Sequence, residues 1–132
     1  MNAAHWAERE YTALFAPDAP PRIALVAAGE SGARQVCGFV ITRCALDAWE
    51  IENVVVGEQH RQQGIGTQLI QELLLQARTR GATSVLLEVR ESNLAARRFY
   101  ENLGFSEQGR RKGYYQNPRE DALMLQKSIA VP

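Results

Sequence analysis

One segment constrains the fold of this chain more than any other: Val54-Val55-Val56-Gly57-Glu58-Gln59-His60-Arg61-Gln62-Gln63-Gly64-Ile65-Gly66-Thr67. Ahead of it, Trp49, Ile51 and Asn53 alternate with Glu50 and Glu52, the period of a strand with one covered face. After it, Ile65, Leu69, Ile70, Leu73, Leu74 and Ala77 recur at helical spacing. An apolar strand therefore runs through a polar loop and two glycines into an amphipathic helix. The run Val54 to Val56 predicts a strand moving from a half-covered to a buried position. Backbone N–H groups at the helix start, flanked by glycines that admit a ligand, form an anion site suited to a pyrophosphate. A plain glycine turn ahead of the helix accounts for the glycine spacing equally well. The segment is not a Walker loop, because no Gly-Lys-Ser/Thr follows. Nor is it a Rossmann fingerprint, because Leu69 stands at the third glycine position.

The rest of the chain supplies alternating strands and helices. A short amphipathic helix is expected over Ala3 to Phe15, closed off by Ala16-Pro17-Asp18-Ala19-Pro20-Pro21. Arg22 to Ala28 and Val36 to Leu46 read as the strands of a hairpin around a turn at Gly29 to Ala33, and Trp49 to Val56 as a third strand. Gly81 stops the long helix in the C′ position. Thr83 to Val89 is a buried strand, and Ser92 is the expected N-cap of a helix carrying Ala95, Ala96, Phe99, Tyr100 and Leu103, ended by Gly104. Phe105 to Glu107 and Ala122 to Ile129 are the last strands, with a loop between them. This order implies a mixed α/β sheet with helices on its faces.

Composition narrows the function. Among 132 residues, fifteen Lys and Arg offset fifteen Asp and Glu, and 45% of residues are hydrophobic. That is the size and composition of a single globular domain over residues 1–132. Zero net charge argues against nucleic acid as a partner, since that affinity comes from cations displacing counterions along phosphates. No apolar run approaches the ~20 residues of a membrane span, and Met1 to Trp6 lacks the features of a secretory signal, so a cytoplasmic location and no membrane partner are expected. Cys37 and Cys44 lie on one strand with Cα atoms roughly 23 Å apart, too far for a disulfide. Neither they nor His5 and His60 have metal-ligand spacing, and no metal is expected.

Several motifs in order then resemble one family. Arg61-Gln62-Gln63-Gly64-Ile65-Gly66 is similar to the pyrophosphate loop of the GCN5-related N-acetyltransferases. Leu87-Glu88-Val89-Arg90-Glu91-Ser92-Asn93, with Ala95, Ala96, Tyr100 and Leu103-Gly104-Phe105, resembles that family's second half. Arg111-Lys112-Gly113-Tyr114-Tyr115 and Arg119-Glu120-Asp121-Ala122-Leu123-Met124 resemble its RimI-type ribosomal-protein-alanine branch. The resemblance implies a mostly antiparallel sheet with a central parallel strand pair that splays apart, helices on both faces, and acetyl-coenzyme A in the gap. By position, Val54, Val55 and Val56 meet the pantetheine arm, Gln62, Gln63, Gly64, Ile65, Gly66 and Thr67 cradle the pyrophosphate, and Asn93 also binds the pantetheine. Tyr114 and Tyr115 line the acceptor entrance.

Acetyl transfer to an amine needs a neutral amine, a polarised carbonyl and a proton for the departing thiolate. An α-amine has a pKa of about 7.7–8.0, so a base is useful near neutral pH. Glu88 is the candidate, in an otherwise apolar strand whose burial is expected to raise its pKa; strand alternation alone reads it as a solvated position, and it is the family resemblance that implies the base. Tyr100 matches the family's general acid, although a tyrosine on an apolar helix stripe also reads as core. A backbone N–H at the end of the third strand, at Val56, is the expected oxyanion donor. His60 receives no role, and Arg110-Arg111-Lys112 reads as a solvated cluster that could alternatively hold an acidic part of the acceptor or a coenzyme phosphate.

Compared with the RimI branch, residues 1–21 form a shortened N-terminal region, and Gly57-Glu58 replaces the usual Asp/His-Pro. The expected activity is acetyl transfer to a protein N-terminal amine, with a ribosomal-protein alanine as first choice, by a monomer or homodimer. The alternatives are a small-molecule amine or lysine side chain as acceptor, or a non-catalytic acyl-coenzyme A-binding module.

Overall fold

The computed structural model describes residues 21–28, 36–57 and 64–129. The helix expected over Ala3 to Phe15, the turn at Gly29 to Ala33, and His60, Gln62 and Gln63 lie outside these residues. The elements are β1 (Arg22–Ala28), β2 (Val36–Ala45), β3 (Ala48–Val56), α1 (Ile65–Thr79), β4 (Ser84–Arg90), α2 (Leu94–Asn102), β5 (Ser106–Tyr115) and β6 (Glu120–Ser128). They build a six-stranded sheet in the order β1-β2-β3-β4-β6-β5. Neighbouring strands are antiparallel except β3 and β4.

Both strand–helix–strand crossovers advance across the sheet in the same direction, so right-handed connections place α1 and α2 on the same face. Their apolar stripes meet there. Leu69, Ile70, Leu73 and Ala77 of α1 and Ala96 and Tyr100 of α2 share one core with Trp49, Ile51, Val54, Val85, Leu87, Val89, Leu123 and Leu125 of the strands.

The helix ends follow local chemistry. Gly64 caps α1 with φ 78°, a left-handed conformation that costs glycine little. After Thr79, Gly81 N–H donates to Arg78 O and Ala82 N–H to Ala77 O, the paired bonds of a Schellman stop. Gly104 and Phe105 repeat this stop on α2. At the start of α2 the expected Ser92 cap is corrected to Asn93, whose Oδ1 accepts from Ala96 N–H at 3.2 Å. Ser92 instead donates its hydroxyl proton to Glu120 Oε1 at 3.0 Å.

Two strands depart from the sequence reading. In β3, Ile41 faces Asn53 and Thr42 faces Ile51, so Glu52 is an inserted bulge residue. The bulge shifts the phase of the strand: Trp49 and Ile51 enter the core, and so does Val54. Val55 and Val56 are only half-buried, against the expectation of a buried strand end. The apolar run reflects this phase change and not cover on both faces. At the other edge, the loop expected after Glu107 is mostly strand, because β5 extends to Tyr115. Its sequence, Ser-Glu-Gln-Gly-Arg-Arg-Lys-Gly-Tyr-Tyr, has no apolar alternation because this edge strand is largely exposed, and its charges discourage pairing with another chain.

Candidate active site

Parallel pairing of β3 with β4 lasts for three residue pairs, Ala48 with Ser84, Trp49 with Val85 and Glu50 with Leu86. Beyond them β3 pairs with β2 alone and β4 with β6 alone. The divergence opens a cleft of about 1060 Å³ through the middle of the sheet. Glu50 to Val54 form one wall, Leu87 to Arg90 the other, and residues 92–96 with Tyr100 of α2 close one face. Arg111, Tyr114 and Tyr115 reach in from β5.

The expected site residues divide between this cleft and its surroundings. Glu88, Tyr100, Val54, Asn93, Tyr114 and Tyr115 line it. Val55 and Val56 continue β3 past the lining residues, and Gly64, Ile65, Gly66 and Thr67 form the cap and first turn of α1. That turn has no side-chain cap and no acidic residue, so the positive end of the helix carries no counter-charge of its own.

Along β4, Val85, Leu87 and Val89 point into the core while Glu88 and Arg90 point to the opposite face. Glu88 is not alone in an apolar setting, as the sequence suggested. Its side chain keeps 18% of its exposure, and Arg111 Nε stands 3.1 Å from its Oε1. Arg111 in turn lies 5.3 Å from the centre of the Tyr114 ring. Beside it, the Arg90 guanidinium sits 4.0 Å over the Tyr115 ring and 3.6 Å from Glu120. Tyr114 and Tyr115 meet edge to face at 5.2 Å. Burial first, then the negative charge of Glu88, push the Tyr115 phenol above its ordinary pKa.

Tyr100 belongs to the other face. It is 5% exposed, packed edge to face against Phe99 and Phe105 at 5.0 and 5.4 Å. Burial alone pushes its phenol well above the ordinary value of 10, so it stays protonated throughout the neutral range.

Sequence reasoning missed the charged lining. Glu50 and Glu52 face the cleft, held by arginines of β2 and β1: Arg43 of the adjacent β2 stands 3.7 Å from Glu50, and Arg22 reaches across from β1 to grip Glu52 with Nε and Nη2, the latter at 3.1 Å. The sequence offers Arg111 as part of a solvated cluster, or alternatively as a group for an acidic part of the acceptor or a coenzyme phosphate, and does not pair it with Glu88. The usable signal was period-two placement of charge, Glu50 and Glu52 on one strand and Glu88 and Arg90 on its parallel neighbour, which puts all four on one face. Among the described residues, no group of three His, Cys, Asp or Glu could hold a metal, and no helix is long and apolar enough to cross a membrane.

Known proteins match this arrangement. The family model described as acetyltransferase (GNAT) family matches residues 2–105. The [ribosomal protein bS18]-alanine N-acetyltransferase of Escherichia coli strain K12 is 36% identical over 99 residues, covering 74% of this chain and 67% of that protein. The crystal structure of the ribosomal-protein-S18-alanine N-acetyltransferase from Escherichia coli superposes with a TM-score of 0.84 at 29% identity, covering 96% of this chain and 79% of that one. An aminoglycoside 6′-N-acetyltransferase complexed with coenzyme A shares the fold, with a TM-score of 0.75 at 21% identity over 93% of this chain and 79% of its own. With most of its length matched by the family model and the splayed parallel pair in place, the chain belongs to the GNAT family of acetyltransferases.

Proposed function

We propose that this acetyltransferase moves the acetyl group of acetyl-coenzyme A to the α-amine of a protein N-terminus, with a ribosomal-protein alanine as first choice, and that it works in the cytoplasm. The observation that carries the reading is one cleft with two proton-handling groups, Glu88 from one face of the sheet and Tyr100 from the other. The 36% identity to an alanine N-acetyltransferase supports the acceptor.

Bound acetyl-coenzyme A supplies a thioester carbonyl open to attack by a neutral amine. The residues present fit it. The stretch of β3 that leaves β4, continuing to Val56, offers backbone groups to an amide-rich arm as a partner strand would. Gln62 to Thr67 hold the pyrophosphate in this reading, supported by the uncapped first turn of α1. Asn93 reaches the pantetheine from the start of α2, where its Oδ1 also serves the cap.

Glu88 takes a proton from the incoming ammonium, directly or through a water, on the face that opens toward Tyr114 and Tyr115. Tyr100 supplies a proton, or a hydrogen bond, to the departing sulfur on the helix face. Its burial keeps the donor protonated and makes complete loss of the proton costly.

A panel of N-terminal peptides, N-blocked peptides carrying lysine and small amines, followed by coenzyme A release, tests the acceptor. Fastest release is expected with an Ala-starting peptide. Preference for a small amine or for lysine would reject the N-terminal acceptor, and release with none would favour a coenzyme-binding protein without transfer.

A further inference from the structure

Arg111 occupies an unusual position for an exposed arginine. On the sheet its lateral neighbour is Ala122 of β6, and the lateral neighbour of Ala122 on the far side is Arg90 of β4. Ala122 is fully buried and small, so Arg111 can cross over the sheet surface and reach Glu88. The contact is with Nε at 3.1 Å, and the Tyr114 ring flanks the guanidinium. Among the described residues these are its only partners. A guanidinium carries five N–H donors, and one carboxylate occupies at most two of them in a fork. The remaining donors are available at a group that lines the cleft.

The cleft thus presents an anion and a cation side by side, Glu88 and Arg111. An α-amine at a peptide N-terminus carries the complementary pair, an ammonium and, one Cα away, an amide carbonyl. A lysine ε-ammonium at the end of its alkyl chain, or a simple polyamine, brings the same charge without an adjacent oxygen, so nothing on it accepts from Arg111 to offset the repulsion between the two cations. We infer that Arg111 is a specificity residue: it donates to the first carbonyl of the acceptor while Glu88 meets the amine, and so favours N-terminal amines over plain ones. This rests on the reading of Glu88 as the base at the acceptor end of the cleft.

The test is a cycle between one side chain and one substrate atom. The substrates are an Ala-starting peptide and the same peptide with its first amide replaced by a trans-alkene isostere, which keeps the shape and the amine but has no carbonyl. For the wild-type protein kcat/KM should favour the amide by about tenfold or more, the scale of one charge-assisted hydrogen bond, and mostly through KM. Arg111→Met should erase that preference, and Arg111→Lys should restore part of it. An equal preference in wild type and Arg111→Met, with both substrates slowed alike, would overturn the inference and leave Arg111 acting only on Glu88. Glu88→Gln is run alongside. Full activity in that variant would reject the base reading, while the Arg111 cycle would still report on the carbonyl contact.

Discussion

Glu88 and Tyr100 line a single cleft from opposite faces of the sheet. Strand alternation turns Glu88 away from the core on β4, and Tyr100 stands among the core residues on α2. They meet at one cleft only because β3 and β4 stop pairing after Glu50 and Leu86. A base and an acid that shared one face would meet the same solvent and the same reactant. In the proposed reaction the proton leaving the amine and the proton reaching the sulfur would be handled in separate environments, one polar and ringed by arginines, the other apolar and aromatic.

Glu88→Gln keeps size and polarity but removes the proposed base and weakens the pairing with Arg111. On an Ala-starting peptide near neutral pH the rate should fall by about 10²-fold or more. The loss should shrink as pH rises past the amine's own pKa of about 8, where neutral amine no longer needs a base. Steady-state rates between pH 6.5 and 9.5, a window spanning about that pKa, check it. A proportional defect that is constant with pH would mean that Glu88 positions the acceptor without deprotonating it.

Tyr100→Phe keeps the edge-to-face packing on Phe99 and Phe105 and deletes the hydroxyl. Turnover should fall by ~10²-fold with little change in acetyl-coenzyme A affinity. The same variant has an alkaline signature. Because burial raises the folded-state pKa of Tyr100, the unfolded chain releases this proton first, so stability is intact below about pH 10 and declines above it. Urea unfolding of the wild type across that range should show the decline, and Tyr100→Phe should flatten it. An unchanged alkaline slope would contradict the burial argument.

Gly66 is the second residue of α1, where a side chain would crowd an anion approaching the first-turn N–H groups. Gly66→Val should raise the calorimetric dissociation constant for acetyl-coenzyme A by an order of magnitude or more while the far-UV spectrum is kept. Unchanged affinity in the folded variant would remove the pyrophosphate assignment.

Much of this was legible in the sequence because local rules governed it. Period two at Trp49, Ile51 and Asn53 marks the start of β3, period 3.6 defines α1, and Gly81 and Gly104 mark helix ends that the backbone confirms with Schellman bonds. What escaped depended on neighbours. Asn93 displaced Ser92 as cap because Glu120, 28 residues away, engages the Ser92 hydroxyl. The bulge at Glu52 arises from the register with β2, which no single strand encodes. The charged edge strand β5 gave no apolar period, and with it went the placement of Arg111 against Glu88. Glu88, Tyr100, Asn93, Tyr114 and Tyr115 could be named from motifs, but Glu50, Glu52 and Arg111, with the ion pairs across β1, β2, β3, β4 and β5, required the sheet order.

The most direct measurement is to locate the transferred acetyl group. An Ala-starting peptide with one internal lysine, incubated with the protein and acetyl-coenzyme A and fragmented in a mass spectrometer, should carry a single acetyl on the α-amine of its first residue, and none in a parallel reaction with the Tyr100→Phe variant over the same short interval. An acetyl group on the lysine side chain, or an unmodified peptide in the wild-type reaction, would contradict transfer to a protein N-terminus in this cleft.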